Sequence, residues 1–390
     1  MKTGLTSPFG AGALWFGAAV SIAEIEAGCQ IGDRWGAMLL GHLVGGLMLF
    51  AIGLAGAQGR QGAMASTART FGRRGALLFA SLNVCQLVGW TAVMIAQGAA
   101  VASPITEVAA ACWCWPLAAL VIVWMLCGGG GATRFGRLCT ALLAILCVLL
   151  TARLVCAQGG APAPGSVAPG FLAAFETSVA LPLSWLPLIA DYTKDAKRPT
   201  LVAAVSAATY STVSAWMFAL GILLVGAGYP DLIQGLVRMG HGYSGIGLLI
   251  VLISTMITTY FDVHSSGESA SVIWPRLKPR PVGIAVALLG GALAAAGIMG
   301  RYLDFLGLIA SVFSPMATVL IVDRYLVRKG RAVWNLLAAL AGVLAYHAAG
   351  ASPIGPTMTA VLTAAIVTFA QVISRPKHSA KRNAKTELAI

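Results

Sequence analysis

Residues 171–194 read FLAAFETSVALPLSWLPLIADYTK. From Phe171 to Asp191 the stretch is long and apolar enough to cross a bilayer, which takes about 20 such residues. Yet Pro182 and Pro187 stand in its middle. Each removes a backbone donor and disfavours a straight helix, so the segment reads as an interrupted membrane helix. A kinked helix is the alternative. An interruption frees carbonyls and half-helix ends, which bind ions and polar substrates. Glu176, Ser178, Ser184 and Trp185 add polar groups to the same segment.

Working outward, eleven further apolar segments of membrane length appear. The twelve run over about 11–28, 35–56, 76–102, 111–127, 136–156, 171–191, 202–228, 246–273, 282–299, 302–322, 332–350 and 355–374. The first reads as a span rather than a cleaved leader, because it carries Glu24 and Glu26 and runs straight into the next. The interrupted segment is the fifth helix after the first. Paired interruptions at matching places in two five-helix halves mark inverted-repeat transporters. The expected organisation is therefore a first repeat over 1–156, a second over 171–328, two additional helices over 332–374 and a basic tail over 375–390. The uncharged Pro/Gly/Ala-rich linker around Gly159–Pro169 divides the halves.

Composition fits a chain in lipid. The 390 residues are 58% hydrophobic and only 10% charged, and the mean hydropathy is +0.84. A soluble domain is roughly 25% charged. The net charge of +13 would suggest nucleic acid in a soluble protein. Here the basic residues sort by topology instead. With the N-terminus in the cytoplasm, only Arg34, Arg153, Arg238 and Arg301 of the 26 basic residues fall outside, and the other 22 fall inside. That is the positive-inside pattern. Both termini are expected in the cytoplasm of a cell inner membrane, with no nucleic-acid partner and no obligate protein partner.

Polar residues within spans are costly and mark functional sites. The first cluster is Ser21-Ile-Ala-Glu24-Ile-Glu26-Ala-Gly28, whose carboxyls call for partners, protons or a broken helix; an interfacial position is the alternative. In the third segment Asn83, Gln86, Trp90, Met94 and Gln97 share one helical face. Two amides and an indole in line suit a flat heterocycle, the amides reading its edge and the indole stacking on its face. Interhelical hydrogen bonding is the alternative. The eighth segment carries Ser254, Thr255, Thr258, Thr259, Asp262, His264, Ser265, Ser266 and Glu268. Hydroxyls at this density suit Na⁺, with Thr258 and Thr259 meeting carbonyls freed in the first segment. Back-bonding to their own helix is the alternative. Asp262, His264 and Glu268 keep a proton-coupled route open. The eight cysteines read as small apolar fillers. The sequence holds no Walker A loop, GxSxG, HExxH or zinc-spaced cysteine set. A secondary transporter is expected, not an enzyme, with no cofactor beyond a coupling ion, Na⁺ or H⁺; a passive channel or a membrane-embedded enzyme is the distant alternative.

Four motifs in register resemble the type-1 nucleobase–cation symporters, the cytosine and hydantoin permease family. They are Gly89-Trp90, Asp191-Tyr192-Thr193-Lys194, Phe305-Leu-Gly307 with Pro315, and Asp323-Arg-Tyr325-Leu-Val-Arg328-Lys329. The first-segment, third-segment and 181–192 stretches look most like its CytX subgroup of hydroxymethylpyrimidine transporters linked to thiamine salvage. The resemblance implies an all-α LeuT-type fold of 5+5 inverted repeats plus two C-terminal helices, and alternating access around a midplane site. It implies a substrate site built from Glu24, Glu26, Asn83, Gln86, Trp90, Met94, Trp185 and His264. Trp185 lies three residues beyond the family's second stacking position, which falls near Pro182. A sodium site is implied at Thr258 and Thr259 with carbonyls near Gly17 and Val20. Glu24, Glu26, Asp262 and Glu268 are the candidates for proton coupling, the competing idea. The expected substrate is hydroxymethylpyrimidine, with cytosine or another nucleobase or hydantoin as the alternative.

Overall fold

The computed structural model describes residues 5–127, 132–156, 168–240, 244–328, 330–350 and 352–373, the side chains of 132–137 excepted. The basic tail and most of the 159–169 linker lie outside the described residues. The described chain is helical. Its only β contact is an isolated bridge between Thr6 and Ala196.

The helices in chain order are α1 (Pro8–Ala19), α2 (Ile22–Cys29), α3 (Trp35–Gly59), α4 (Ala63–Thr106), α5 (Ala110–Leu126), α6 (Ala132–Cys156), α7 (Phe171–Ser184), α8 (Ile189–Thr193), α9 (Pro199–Gly226), α10 (Leu232–Met239), α11 (Ser244–Ile273), α12 (Pro279–Ala295), α13 (Tyr302–Val322), α14 (Ala332–Ala348) and α15 (Pro356–Ile373). Each of the twelve apolar segments falls on one of these or on a broken pair. Among the described residues, seven helical stretches are long and apolar enough to cross a membrane, or eight with α1–α2 counted as one bent span. Helices α5, α7, α12 and α14 are apolar but shorter. Leucines such as Leu39, Leu43 and Leu47 on α3, and Leu142 and Leu149 on α6, lie exposed on the outside. Exposed apolar surface on this scale needs lipid to cover it.

Both breaks have local causes. At the end of α1, Val20 takes ψ 87° and Ser21 is extended. Ser21 Oγ then accepts from the Glu24 amide, the donor that a continuous helix would give to the Val20 carbonyl. The two halves bend by 51°. In the second break α7 stops at Ser184, after Pro182, and Pro187 cannot donate. Tight i→i−3 bonds from Trp185, Leu186 and Leu188 carry the chain to α8.

The helices form two packed groups. One contains α1, α2, α3, α7 and α9; the other contains α4, α5, α11 and α12. Helix α13 touches both, and α14 and α15 pack outside it. The two broken helices lie in the first group. Helices α2 and α9 come unusually close because each presents a glycine: a Cβ on Gly28 would lie 2.4 Å from the Phe218 carbonyl oxygen.

Candidate functional site: a chamber between the two helix groups

A chamber opens where the two breaks face the second group. It is lined by Ala18, Ser21, Ala23 and Glu24 of the first break and by Leu181, Ser184, Trp185 and Leu188 of the second. Leu87, Trp90 and Met94 of α4 and Thr258 and Asp262 of α11 close the other side. Its unfilled volume is about 400 Å³, of which only about 20 Å³ is open to the centre of a water-sized sphere. That is room for a water or so, and too little for a ring. The two groups must move apart to admit a substrate.

The chamber wall is aromatic and acidic. Trp90 is held edge-on by Phe305, 5.5 Å between ring centroids. Phe305 reaches α4 because residue 89 is glycine: a Cβ there would meet the Phe305 ring at 2.3 Å. Trp185 belongs to a cluster with Trp15 at 5.3 Å and Tyr210 at 5.9 Å. Tyr302 at the start of α13 donates to the Ala23 carbonyl oxygen. Among the described residues, no lysine or arginine lines the chamber.

Glu24 is buried, and each of its carboxyl oxygens has a protein partner. Oε1 lies 2.5 Å from the Tyr210 hydroxyl and Oε2 2.7 Å from Ser214 Oγ. Ser214 Oγ in turn lies 2.7 Å from His42 Nε2, and His42 Nδ1 lies 2.9 Å from the Met38 carbonyl oxygen. Asp262, across the chamber, is different: its Oδ2 is buried and, among the described residues, has no hydrogen-bond partner. An unsatisfied buried carboxylate oxygen calls for a donor or a cation.

These features can be set beside known proteins. Residues 6–374 match the family described as permease for cytosine/purines, uracil, thiamine and allantoin. The chain belongs to this permease family. A curated relative, "Putative purine-cytosine permease YxlA" of Bacillus subtilis (strain 168), is 28% identical over 187 residues, 43% of this chain and 41% of that protein. The permease therefore matches about two fifths of that relative's length. Among solved structures, Mhp1 is a nucleobase-cation-symport-1 family transporter captured closed with bromovinylhydantoin bound. It is similar with a TM-score of 0.74 at 19% identity, over 93% of this chain and 91% of that one. A Na⁺-coupled sialic acid symporter in a substrate-bound outward-open state gives 0.69 at 14% identity, over 95% and 90%. A manganese transporter of Eremococcus coleocola gives 0.57 at 12%, over 97% and 90%. At these identities the solved structures speak for the fold. The family and these relatives are transporters, not enzymes.

Of the residues singled out in the permease sequence, Glu24, Trp90, Met94, Trp185, Thr258 and Asp262 come together in the chamber. Others do not. Asn83 is fully buried behind the wall and donates to Ser269 Oγ at 2.8 Å. Gln86 Nε2 donates to Asn83 Oδ1 and to the Ser184 carbonyl oxygen. Gln86 thus braces the α7 break directly and Asn83 ties it to α11, and neither amide is among the residues that line the chamber. Gln86 Oε1 and both Gln97 side-chain polar atoms remain buried without a partner among the described residues. Glu26, two residues past Glu24, turns away from the chamber toward Gln30 and Asp231. His264, two residues past Asp262, also turns away, since a helix sends neighbours at that spacing to different faces. It stacks on Tyr260 and lines a separate cleft with Glu268, Lys278 and Arg280. Glu268 is exposed there.

For the cation, Thr258 reaches the chamber wall and Thr259 is fully buried. Both hydroxyls donate to their own helix, to Ser254 and Thr255 carbonyl oxygens. That leaves the oxygen lone pairs free. Val20 sits at the α1–α2 break, and Gly17 packs on Thr140 of α6.

The other motifs serve structure. Asp191 Oδ1 accepts from the Ala63 amide at the start of α4. Asp323, in a single π-helical turn Asp323–Val327, accepts from Thr70 Oγ1 and the Gly330 amide. Glu176 accepts from the amide and hydroxyl of Thr357 and so caps α15. Four cysteines are buried packing atoms, while Cys85, Cys112, Cys127 and Cys156 lie on the exposed surface.

Sequence reasoning missed Tyr210, Ser214 and His42. A lone hydroxyl or imidazole within an apolar run gives no spacing signal. Only the close approach of α2, α3 and α9 assembles them around Glu24.

Proposed function

We propose that this permease is a secondary cation symporter that imports a small planar pyrimidine, with hydroxymethylpyrimidine as the first candidate. One observation carries the reading: an indole (Trp90) and two carboxyl groups (Glu24 and Asp262) meet in a chamber that, among the described residues, has no basic side chain in its wall. An indole offers a face for stacking. Carboxyl oxygens accept from an exocyclic amine or a ring N–H. An anionic substrate would find no counter-charge there. The bromovinylhydantoin held by Mhp1 is likewise a small planar ring compound carrying amide groups, and thiamine stands in the family's description. Cytosine, which presents a similar amino-pyrimidine edge, is the alternative substrate.

In this reading the chain has twelve spans, two inverted five-helix repeats and two additional helices, with both ends in the cytoplasm of the cell inner membrane. The first packed group rocks against the second to expose the chamber to one side at a time. Na⁺ binds at Thr258 and Thr259 with carbonyls near Gly17 and Val20; free hydroxyl lone pairs and an interrupted α1 support this. The Na⁺ coupling of the sialic acid symporter supports a cation of this kind. Asp262 adds a second carboxyl group to the wall, one turn from Thr258.

A thermal-shift and equilibrium-binding screen of pyrimidines, thiamine and purines on the purified permease tests the assignment. Hydroxymethylpyrimidine or cytosine should bind most tightly. Preference for a purine, or for an anionic compound, would contradict it.

A further inference from the structure

The contacts behind Glu24 can be read as a proton count. The Met38 carbonyl oxygen only accepts, so His42 Nδ1, 2.9 Å away, must carry a hydrogen. Suppose His42 is neutral. Its Nε2 is then an acceptor and takes the single hydrogen of Ser214. Ser214 Oγ, 2.7 Å from Glu24 Oε2, has no second hydrogen to give, so Glu24 must be the acid and donate to it. Suppose instead that Glu24 is ionised. Ser214 donates to the carboxylate, and Nε2 must donate to Ser214, so His42 is an imidazolium. Both arrangements hold one proton more than a carboxylate beside a neutral imidazole. The state without that proton sets two lone pairs face to face at 2.7 or 2.9 Å in a site where Glu24 is 2% exposed, His42 3% and Ser214 0%. Ser178 Oγ does not relieve it. It lies 3.4 Å from Nδ1 and 3.3 Å from the Met38 oxygen, farther than His42 itself.

We propose that Glu24, Ser214 and His42 form a proton-binding site that carries one proton through the transport cycle, with Glu24 as its opening to the chamber. The inference rests on reading that chamber as the pyrimidine site. The proton passes without net change of charge: the Glu24 O–H breaks as the Ser214 O–H forms, and the former Ser214 hydrogen moves to His42 Nε2. Loading takes the proton from water on the open side, and release returns it to water on the other.

Three further observations support the site. First, Glu24 on α2, His42 on α3 and Ser214 on α9 all belong to one packed group. Opening the chamber between the groups exposes Glu24 without breaking the chain. Second, the surrounding charges favour retention of the proton. The groups facing the triad are Tyr210 on α9, which donates to Glu24; Tyr302 on α13, whose hydrogen goes to Ala23; Glu26 on α2; Asp231 at the start of α10; and Asp262 across the chamber. None is a fixed cation, so the proton is the local counter-charge. Third, the site suits the substrate. A ring donor at Glu24 favours the carboxylate, and the proton then waits on His42, so the chamber accepts a neutral ring without net charge change.

The test counts protons per substrate in proteoliposomes with Na⁺ equal on both sides, an inward proton gradient, labelled hydroxymethylpyrimidine or cytosine outside and a pH-sensitive dye inside. Wild type should acidify the lumen with about one proton per substrate imported. In His42→Gln, whose amide bonds but cannot ionise, the ratio should fall to near zero on whatever transport remains. Ser214→Ala should behave alike, which covers the case where the first variant does not fold. Uptake on a Na⁺ gradient at equal pH with no proton movement in wild type would overturn the proton site and leave the pyrimidine reading standing. If neither gradient moves either pyrimidine, the pyrimidine reading fails, and spectroscopy decides the proton site by itself. The purified protein should show either a protonated-carboxyl infrared band lost in Glu24→Gln or an imidazolium nitrogen resonance lost in His42→Gln. Absence of both would overturn the proposal.

Discussion

Gly221 on α9 lies directly against Gly28 on α2: a Cβ on Gly221 would stand 2.7 Å from the Gly28 carbonyl carbon and 2.2 Å from the Ile25 carbonyl oxygen. This approach brings Glu24 within reach of both Tyr210 and Ser214, about three and two turns before Gly221 on the same helix. Helix α2 is therefore positioned by backbone contact, and its carboxyl inherits that position.

Gly221→Ala should force the two backbones apart. Overpacking of this kind costs roughly 1–3 kcal/mol, and here the neighbour is main chain that cannot rotate away. The thermal midpoint and the pyrimidine affinity should both fall. An alanine variant with wild-type values for both would show that the α2–α9 contact does not set the site.

Trp90→Ala should weaken substrate binding about 5- to 150-fold, since base–aromatic stacking is worth roughly 1–3 kcal/mol and each 1.4 kcal/mol is tenfold. Trp90→Phe should lose less, because a smaller ring still stacks. Titration of the purified variants checks this. A normal affinity in the alanine variant would remove Trp90 from the substrate face.

His264→Ala is the matching control. Its ring stacks on Tyr260 in a cleft apart from the chamber, so substrate affinity should be unchanged. A large loss would show that the second cleft takes part in binding.

The sequence carried the helices well. The twelve apolar segments fall on helices or broken pairs, and seven or eight described stretches are long and apolar enough to cross a membrane, because burial in lipid is written as plain length and hydropathy; Pro182 and Pro187 announced one break, and the carboxyls of Glu24 and Glu26 left a broken helix open for the other. Trp90 and Met94 were legible from helical spacing, which brings residues three or four apart onto one face, and Thr258 and Asp262 from the density of polar groups in one apolar segment. What periodicity does not encode is how far a face reaches. Asn83 and Gln86 share the Trp90 face, yet their amides bond Ser269 and the Ser184 carbonyl oxygen and do not line the chamber. His42, Tyr210 and Ser214 come from two helices far apart in sequence, so their meeting at Glu24 depends on packing alone.

Thr258→Ala should raise the Na⁺ concentration for half-maximal uptake, while uptake at saturating Na⁺ partly recovers. Loss of one oxygen ligand weakens a site without abolishing it. Linkage requires that substrate raise Na⁺ affinity by the same factor that Na⁺ raises substrate affinity. Equal half-maximal Na⁺ in wild type and variant would move the cation away from the threonines.

The central claim is that the chamber carries a planar pyrimidine inward at the expense of a cation gradient. Its most direct test is uptake of labelled hydroxymethylpyrimidine into proteoliposomes under an inward Na⁺ gradient at equal pH, compared with liposomes lacking the gradient. The account predicts accumulation above the external concentration, suppressed by unlabelled cytosine and lost in Trp90→Ala. Equilibration without accumulation, or no entry of any pyrimidine by a folded wild-type protein under either a Na⁺ or a proton gradient, would contradict it.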